Sequence, residues 1–578
     1  MTKVVTVISL FLFTTLFACA QKQTKIAETN ETSVAVKKQS ISKVLSDNEN
    51  ISIKERVALY LKLKKEQPDT YNFENEDELT MYGYRHLWDN KTQDAIEVFK
   101  LIASQFPNSS NAYDSLGEGY FVIGNFDLAL QNYEKSLAMN PQNFNAEDMI
   151  ERIKFPDRKP LTPKEKFEKI YAVEAYKSDL DQLGKKLLEV HPNALKFISE
   201  KAFWNSVEEK KSLIMAQTTY AEFVWHCKEI IANVNCSHTY NSDFFDEWEM
   251  LPQRLEFTLE VRWMNNALVV VDSGENAEKV SVKDEIASIN GIEVSKLMKD
   301  IYKTIPSQGH IETYKKHQFN SWASSMLSYT LNFPETYEVQ IKGKQKPFVL
   351  NPSKKQIDFK EPFKRHCPDN LCVDFLNEDK IAILTISSFN YYPWNNLDVF
   401  EKFIDKSFKE IQEKGTNNLI IDLRFNGGGS PESSIYLLKH LLQKPFDYFL
   451  ESDYSSGKRI HKPFANNYRG KLYFLIDGNG NSTTGHFMAI AKDLNLGKII
   501  GEELGSNHFC TAGQTVCRLT NTKFQYYVAN STSQVKVNNL PDNRGIFPDY
   551  EVQQTIDDYL GNVDTVKKFT LELIQKNQ

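Results

Sequence analysis

Leu419-Ile420-Ile421-Asp422-Leu423-Arg424-Phe425-Asn426-Gly427-Gly428-Gly429-Ser430 is the stretch on which the fold turns. An apolar run ending in charge reads as a buried strand. A glycine turn follows, and a helical pattern then runs to about Leu442. A strand, a glycine turn and a helix start aim backbone N–H groups at one point, where a phosphate or an oxyanion can sit. No Gly-Lys-Ser/Thr follows the glycines, so this is not a phosphate-binding P-loop. Nor do they have the spacing of a dinucleotide fingerprint.

Downstream the pattern recurs. Leu472-Tyr473-Phe474-Leu475-Ile476-Asp477 is a second strand, and it enters Gly478-Asn479-Gly480-Asn481-Ser482-Thr483-Thr484-Gly485-His486 before a helical segment from Phe487 to Leu494. A hydroxyl at a strand-to-helix turn is held exposed over the dipole of the next helix. A third strand, Lys498 to Glu502, leads into another glycine-bearing loop, and Asp542-Asn543-Arg544-Gly545-Ile546-Phe547-Pro548-Asp549 lies near the end. Upstream, a helical pattern from Pro163 to Ile231 places Phe167, Ile170, Tyr171, Leu180, Leu183, Leu187 and Leu188 on one stripe. A helix over about 218–233 then delivers Cys236-Ser237-His238-Thr239. Taken alone, a histidine just past a helix end is a capping or packing residue.

From about 250 to 350 the texture is β. Leu255 to Leu259 alternates, Ala267 to Val271 is a buried run, and Val282 to Gly291 reads as strand then turn, with Asn290-Gly291 supplying positive φ. This segment resembles a PDZ domain, with Lys283 where that family usually has glycine. In the front half, Ala95-Ile96-Glu97-Val98-Phe99 recurs as Ala129-Leu130-Gln131-Asn132-Tyr133, and Phe106-Pro107 as Asn140-Pro141, both at an offset of 34. That period resembles tetratricopeptide repeats, in which small residues let helices approach and proline ends the second helix. The segment implies either a groove for a protein partner or a packing spacer.

The start of the chain carries Lys3, an apolar stretch from Val4 to Phe17, and Leu16-Phe17-Ala18-Cys19. This is an export signal whose end resembles a lipoprotein lipobox, which makes Cys19 the lipidation site. A polar tether follows to about Asn50. Six further cysteines fall in three close pairs, Cys227/Cys236, Cys367/Cys372 and Cys510/Cys517. None has the doublet spacing of a zinc site, so a mixture of disulfides and buried thiols is expected and no metal or organic cofactor. The net charge of −7 argues against nucleic acid as a partner.

Asp422-Leu423-Arg424, Asn426-Gly427-Gly428, the Ser482 turn, Gly501-Glu502 and Gly545-Ile546-Phe547-Pro548-Asp549, in that order over about 160–560, resemble the S41 peptidase family. The resemblance implies a crotonase-like (ClpP/crotonase) α/β core. One branch of the family takes its base from a lysine after the Gly-Glu strand, but Gly501 to His508 has none. The tricorn-like branch takes a histidine from the helical lead-in, and the Ser237-His238-Thr239 element resembles it. The resemblance therefore implies Ser482 as nucleophile, His238 as base and Asp542 as its orienting acid, with N–H groups of Gly427 or Gly428 and of Thr483 as oxyanion donors. Thr483 is the alternative nucleophile, since the turn slides by one against many relatives. His508 is a rival base, and His486 stands where relatives often have Glu. Arg424 is expected to anchor the glycine turn or a substrate carboxylate, and Asp549 to fix a turn.

The expected architecture is multidomain α plus α/β: signal 1–19, linker 20–50, repeat-like helices 51–155, a helical region 160–245, a PDZ-like segment 250–350 and a catalytic core 360–578. The expected function is that of a lipid-anchored serine peptidase of the bacterial cell envelope acting on peptide or protein. The rival expectations are an inactive peptide- or ligand-binding lipoprotein on the same scaffold and an adaptor working through its repeats.

Overall fold

The computed structural model describes residues 38–159, 161–241, 250–352, 367, 370–391, 397–452 and 460–576. The expected signal, Cys19 and the tether up to residue 37 lie outside the described residues. The chain divides into two units, 1–160 and 161–578.

In the first unit, helices begin at Glu76, Ser110 and Phe144, and their following partners at Thr92 and Phe126, each spaced by 34. The equivalent glycines show why. A Cβ on Gly83 would meet the Phe99 ring at 2.5 Å, and one on Gly117 the Tyr133 ring at 3.1 Å, so each pair closes only over a bare α-carbon. The expected 20–50 linker is not followed throughout. Ile41–Asp47 is a helix capped by Ser40, and its Ile41 and Leu45 are buried, which an unanchored tether would not do.

The second unit opens with the helices Pro163–Glu168, Val173–Val190, Glu200–Leu213 and Tyr220–Ala232. Leu180, Leu183 and Leu187 are buried as the stripe requires. Ile170 leaves the stripe: it lies between two helices, paired to Thr219 in an isolated extended bridge, and is exposed. An antiparallel sheet follows, with the strands Glu260–Met264, Ala267–Asp272, Glu285–Ile289, Glu338–Ile341 and Phe348–Val349, and the helices Val294–Tyr302 and Glu312–Thr330 pack with it. Leu255 to Leu259 is not a strand. Gln253–Leu255 is a single 3-10 turn, and pairing begins only at Glu260. Asn290 and Gly291 turn with φ of 49° and 75°, and Lys283 itself sits at φ 74°, a conformation that explains why glycine suits its position.

The last sheet runs Leu371–Leu376, Ile381–Ile386, Asn418–Asp422, Lys471–Ile476, Lys498–Gly501 and Tyr550–Glu551, so spatial order equals chain order. Only the first pairing is antiparallel. Alternation sends Leu419, Ile421 and Phe474 to one face, against Phe400, Ile404 and Phe487. Ile420, Tyr473 and Leu475 go to the other, against Val566 and Ile574 of the helix Thr565–Lys576. Helices on both faces make the central strands apolar throughout. A hairpin of Phe509–Arg518 and Gln525–Val535 stands beside this core, joined by Phe449–Ser452. Cys367 and Cys372 form a disulfide, while Cys227, Cys236, Cys510 and Cys517 are buried free thiols.

Candidate active site

The carboxyl ends of the parallel strands Asn418–Asp422 and Lys471–Ile476 release the two turns singled out above, at the edge where α/β sheets place their ligands. Asn426, fully buried, is the hub between them. Its Nδ2 donates to the Ile386 carbonyl at 2.9 Å and its Oδ1 accepts from the Gly428 N–H at 2.9 Å. Its own carbonyl accepts from Asn481 N at 3.1 Å and Thr484 Oγ1 at 2.9 Å. Gly428 has φ +102°, and a Cβ there would lie 2.6 Å from Ser482 Cβ. The glycine turn and the serine turn therefore touch backbone to side chain. Arg424 anchors the first turn, as expected: its buried guanidinium pairs with Asp422 at 2.6 Å and Asp564 at 2.7 Å. Asp549 does likewise for its own turn, accepting from Ile499 N at 3.0 Å.

Ser482 has φ 55° and ψ −123°, a strained setting for a residue with a side chain, and it immediately precedes the helix Thr483–Asp493. Its N–H donates to Asn481 Oδ1 at 2.8 Å. Thr483 is buried and its hydroxyl donates to the Gly429 carbonyl at 2.5 Å, so that hydroxyl is committed to holding the loop. The N–H of Gly428 is likewise taken, by Asn426. Those of Gly427 and Thr483 have no hydrogen-bond partner among the described residues, the second because first-turn amides lack one within the helix.

His238 reaches this place from the front of the unit. Ser237 Oγ donates to Asn481 Oδ1 at 3.0 Å, which ties the histidine loop to the serine turn across 244 residues. Gln514 Nε2 donates to the His238 carbonyl at 3.0 Å and Ala529 N to Thr239 Oγ1 at 3.0 Å, so the hairpin clamps the loop on both sides. Burial pulls the imidazole down to about 4, which keeps it neutral and able to take a proton. Between the two groups stands Cys510. Its thiol, pushed up by burial, has the Ser482 side chain as a neighbour, and its Sγ lies 3.8 Å from His238 Nδ1. The sequence marked this cysteine only as half of the close pair Cys510/Cys517, not as a neighbour of the serine; it is a buried free thiol on the strand Phe509–Arg518.

Asp542 does not orient His238. Its carboxylate pairs with Lys196 at 2.6 Å and with His508 Nε2 at 3.1 Å. The cause is local. Asn507 Nδ2 donates to the carbonyls of Asp542 and Arg544, which brings that segment to the loop bearing His508. The same pairing commits His508, the rival base, to Asp542. His486 is buried, edge-on to Tyr448 and Phe449, and burial pulls it down to about 3. Among the described residues no cluster of three His, Cys, Asp or Glu side chains could hold a metal ion.

Two cavities open on this arrangement. One, of about 770 Å³, is walled by Ser237, His238, Trp225, Trp322 and Tyr329. The other, of about 410 Å³, is walled by His317, Asn479, Glu502 and Phe425. Both reach Gly427 and Asn481.

A strained serine beside a glycine turn, at the end of a parallel sheet, is an arrangement that can present a hydroxyl nucleophile beside backbone N–H donors. Residues 380–552 match the family model of Peptidase family S41. The tricorn protease of Thermoplasma acidophilum is 26% identical over 171 residues, which are 28% of this chain and 15% of that protein's length. Among solved structures, mature CPAF complexed with lactacystin is 14% identical with a TM-score of 0.47, covering 70% of this chain and 99% of that one. The crystal structure of the tricorn protease is 16% identical with a TM-score of 0.32, covering 70% and 37%.

Proposed function

We propose that this chain is a lipid-anchored serine peptidase of the bacterial cell envelope, with Ser482 as nucleophile and His238 as general base. The observation that carries the reading is the strained Ser482 turn, joined through Asn481 and Ser237 to the loop bearing a neutral His238. Ser482 Oγ turns from Cys510 toward the imidazole, attacks the peptide carbonyl, and gives its proton to His238, which returns it to the leaving amine. The N–H groups of Gly427 and Thr483 receive the oxyanion, each worth about 3–4 kcal/mol in the transition state. The S41 match over 380–552 supports peptide or protein as the substrate. The sequence supports Cys19 as the anchor, and the helix pairs spaced by 34 support a docking groove for a protein partner.

One feature favours a second reading, a ligand-holding protein without hydrolysis. Among the described residues His238 has no carboxylate partner, and it faces a thiol. A serine-directed fluorophosphonate separates the two. Labelling of the wild type that is lost in Ser482→Ala and kept in Thr483→Ala is the outcome expected of the peptidase. An unlabelled wild type supports the second reading. Loss in Thr483→Ala with retention in Ser482→Ala overturns the nucleophile.

A further inference from the structure

Helix Glu312–Thr330 belongs to the sheet-bearing segment upstream of the core, yet one of its side chains is wired into the glycine turn. His317 Nε2 lies 3.2 Å from Glu502 Oε2, which also receives Lys316 Nζ at 2.6 Å. His317 Nδ1 lies 3.1 Å from Asn479 Nδ2. An amide nitrogen only donates, so Nδ1 accepts, and the ring carries its proton on Nε2 and donates it to Glu502. Asn479 in turn donates from its backbone N to Asp477 Oδ1 at 3.0 Å and from Nδ2 to Oδ2 at 3.4 Å. Both Asp477 oxygens accept from Phe425 N at 3.2 Å. Phe425 holds φ 64°, and the candidate oxyanion donor Gly427 follows two residues on.

There is no slack in this chain of contacts. A Cβ on Gly478 would meet His317 Cδ2 and the Thr313 carbonyl, each at 2.6 Å, so the helix rides directly on the turn. Burial alone would push the Glu502 carboxyl up, but the His317 bond and the Lys316 charge hold it near 2, so it stays ionised as the fixed acceptor that orients the ring. His317, Asn479, Phe425 and Gly427 line one cavity.

We propose that His317 is a positioning residue for the Gly427 N–H, acting through Asn479 and Asp477 on the left-handed turn at Phe425. The inference rests on the peptidase reading given above. It makes the upstream segment a structural input to the oxyanion site: movement of the helix is transmitted to the turn.

Two conservative variants divide the ring's contacts. The His317→Asn carboxamide oxygen falls near Nδ1 and keeps the acceptor for Asn479. The His317→Gln amide nitrogen falls near Nε2 and keeps only the donor to Glu502. In the full chain, His317→Gln is expected to lower kcat 10- to 100-fold with KM within threefold, and His317→Asn to keep kcat within threefold. Asn479→Ala is expected to match His317→Gln, and the double variant to be no worse than either single one. Amide exchange across 423–430 is expected to accelerate at least tenfold in His317→Gln while the helix Glu312–Thr330 keeps its protection. That exchange measurement needs no turnover, so it decides the positioning even if the wild type proves unreactive. Equal kcat in the Asn and Gln variants, or unchanged exchange across 423–430 in His317→Gln, overturns the proposal. So does equal loss of protection in turn and helix, which marks His317 as packing alone.

Discussion

Replacing Gly428 by alanine tests the site where it is most tightly built. The new Cβ would lie 2.6 Å from Ser482 Cβ, 2.7 Å from the Asn481 carbonyl and 3.0 Å from Thr483 N. Backbone cannot swing aside as a long side chain can. The residue would also have to hold φ +102°, which for an L-residue costs on the order of 1–3 kcal/mol. Overpacking adds about 1–3 kcal/mol more. The strain is relieved only by moving the serine turn, and a displacement near 1 Å at a reacting atom costs about 100-fold in rate. Gly427 is the internal control: its φ is not in the left-handed range and a Cβ there meets nothing within 4 Å. The assay is the rate of fluorophosphonate labelling at Ser482 beside thermal unfolding. Gly428→Ala is expected to label about 100-fold more slowly with a lowered Tm. Gly427→Ala is expected to leave the Tm unchanged, its methyl standing in the cavity. Wild-type labelling and Tm in Gly428→Ala would refute the backbone-to-side-chain contact on which the site is argued.

Because burial holds His238 near 4, the base is lost only as pH falls through about 4, and the acid limb of kcat/KM is expected there; a limb near the free-imidazole value in a pH-rate profile would count against His238. Arg424→Met leaves Asp422 and Asp564 without their cation and is expected to destabilise by about 3–5 kcal/mol in a denaturant titration. The two units are expected to answer acid in opposite senses. Burial raises Asp114 to about 6 and Glu118 to about 7, so their stabilisation is present below the unfolded carboxyl value and lost as pH rises through 6–7. Burial lowers His191 and His440 to about 4, so theirs is full above the unfolded value and lost as pH falls. Between pH 7.5 and 5.5 that loss is about 1.4 kcal/mol per ring. Amide protection, corrected for the intrinsic exchange rate at each pH, is therefore expected to rise in Ser110–Val122 and fall in Pro431–Leu441 on acidification, and the same direction in both would contradict the burial argument.

What was legible in the sequence was what short-range periodicity encodes. The strand expected over Leu419 to Arg424 is Asn418–Asp422, and the helix expected to about Leu442 is Pro431–Leu441. The Asn290-Gly291 turn was readable because few residues accept positive φ. Alternation over Leu255 to Leu259 misled, since apolar residues alternate as readily in a chain that merely buries its odd positions. The polar stretch up to Asn50 hid Ile41 and Leu45, two anchors too few to show as a stripe. Within the candidate site, Ser482 and His238 were expected from motifs, but the neighbours the structure gives them were not. Asp542 chose Lys196 and His508, Asn481 found Ser237, and Cys510 came between serine and imidazole. Each of these contacts joins residues far apart in the chain, and no local pattern carries such information.

The bond between Ser237 and Asn481 has a bearing on the life of the molecule before it is finished. A ribosome that has delivered the histidine must add more than two hundred further residues before the serine turn emerges to meet it. On the proposed peptidase reading, half-made copies thus carry the serine and histidine parts of the site unassembled, and any later unfolding that parts front from back takes the site apart again.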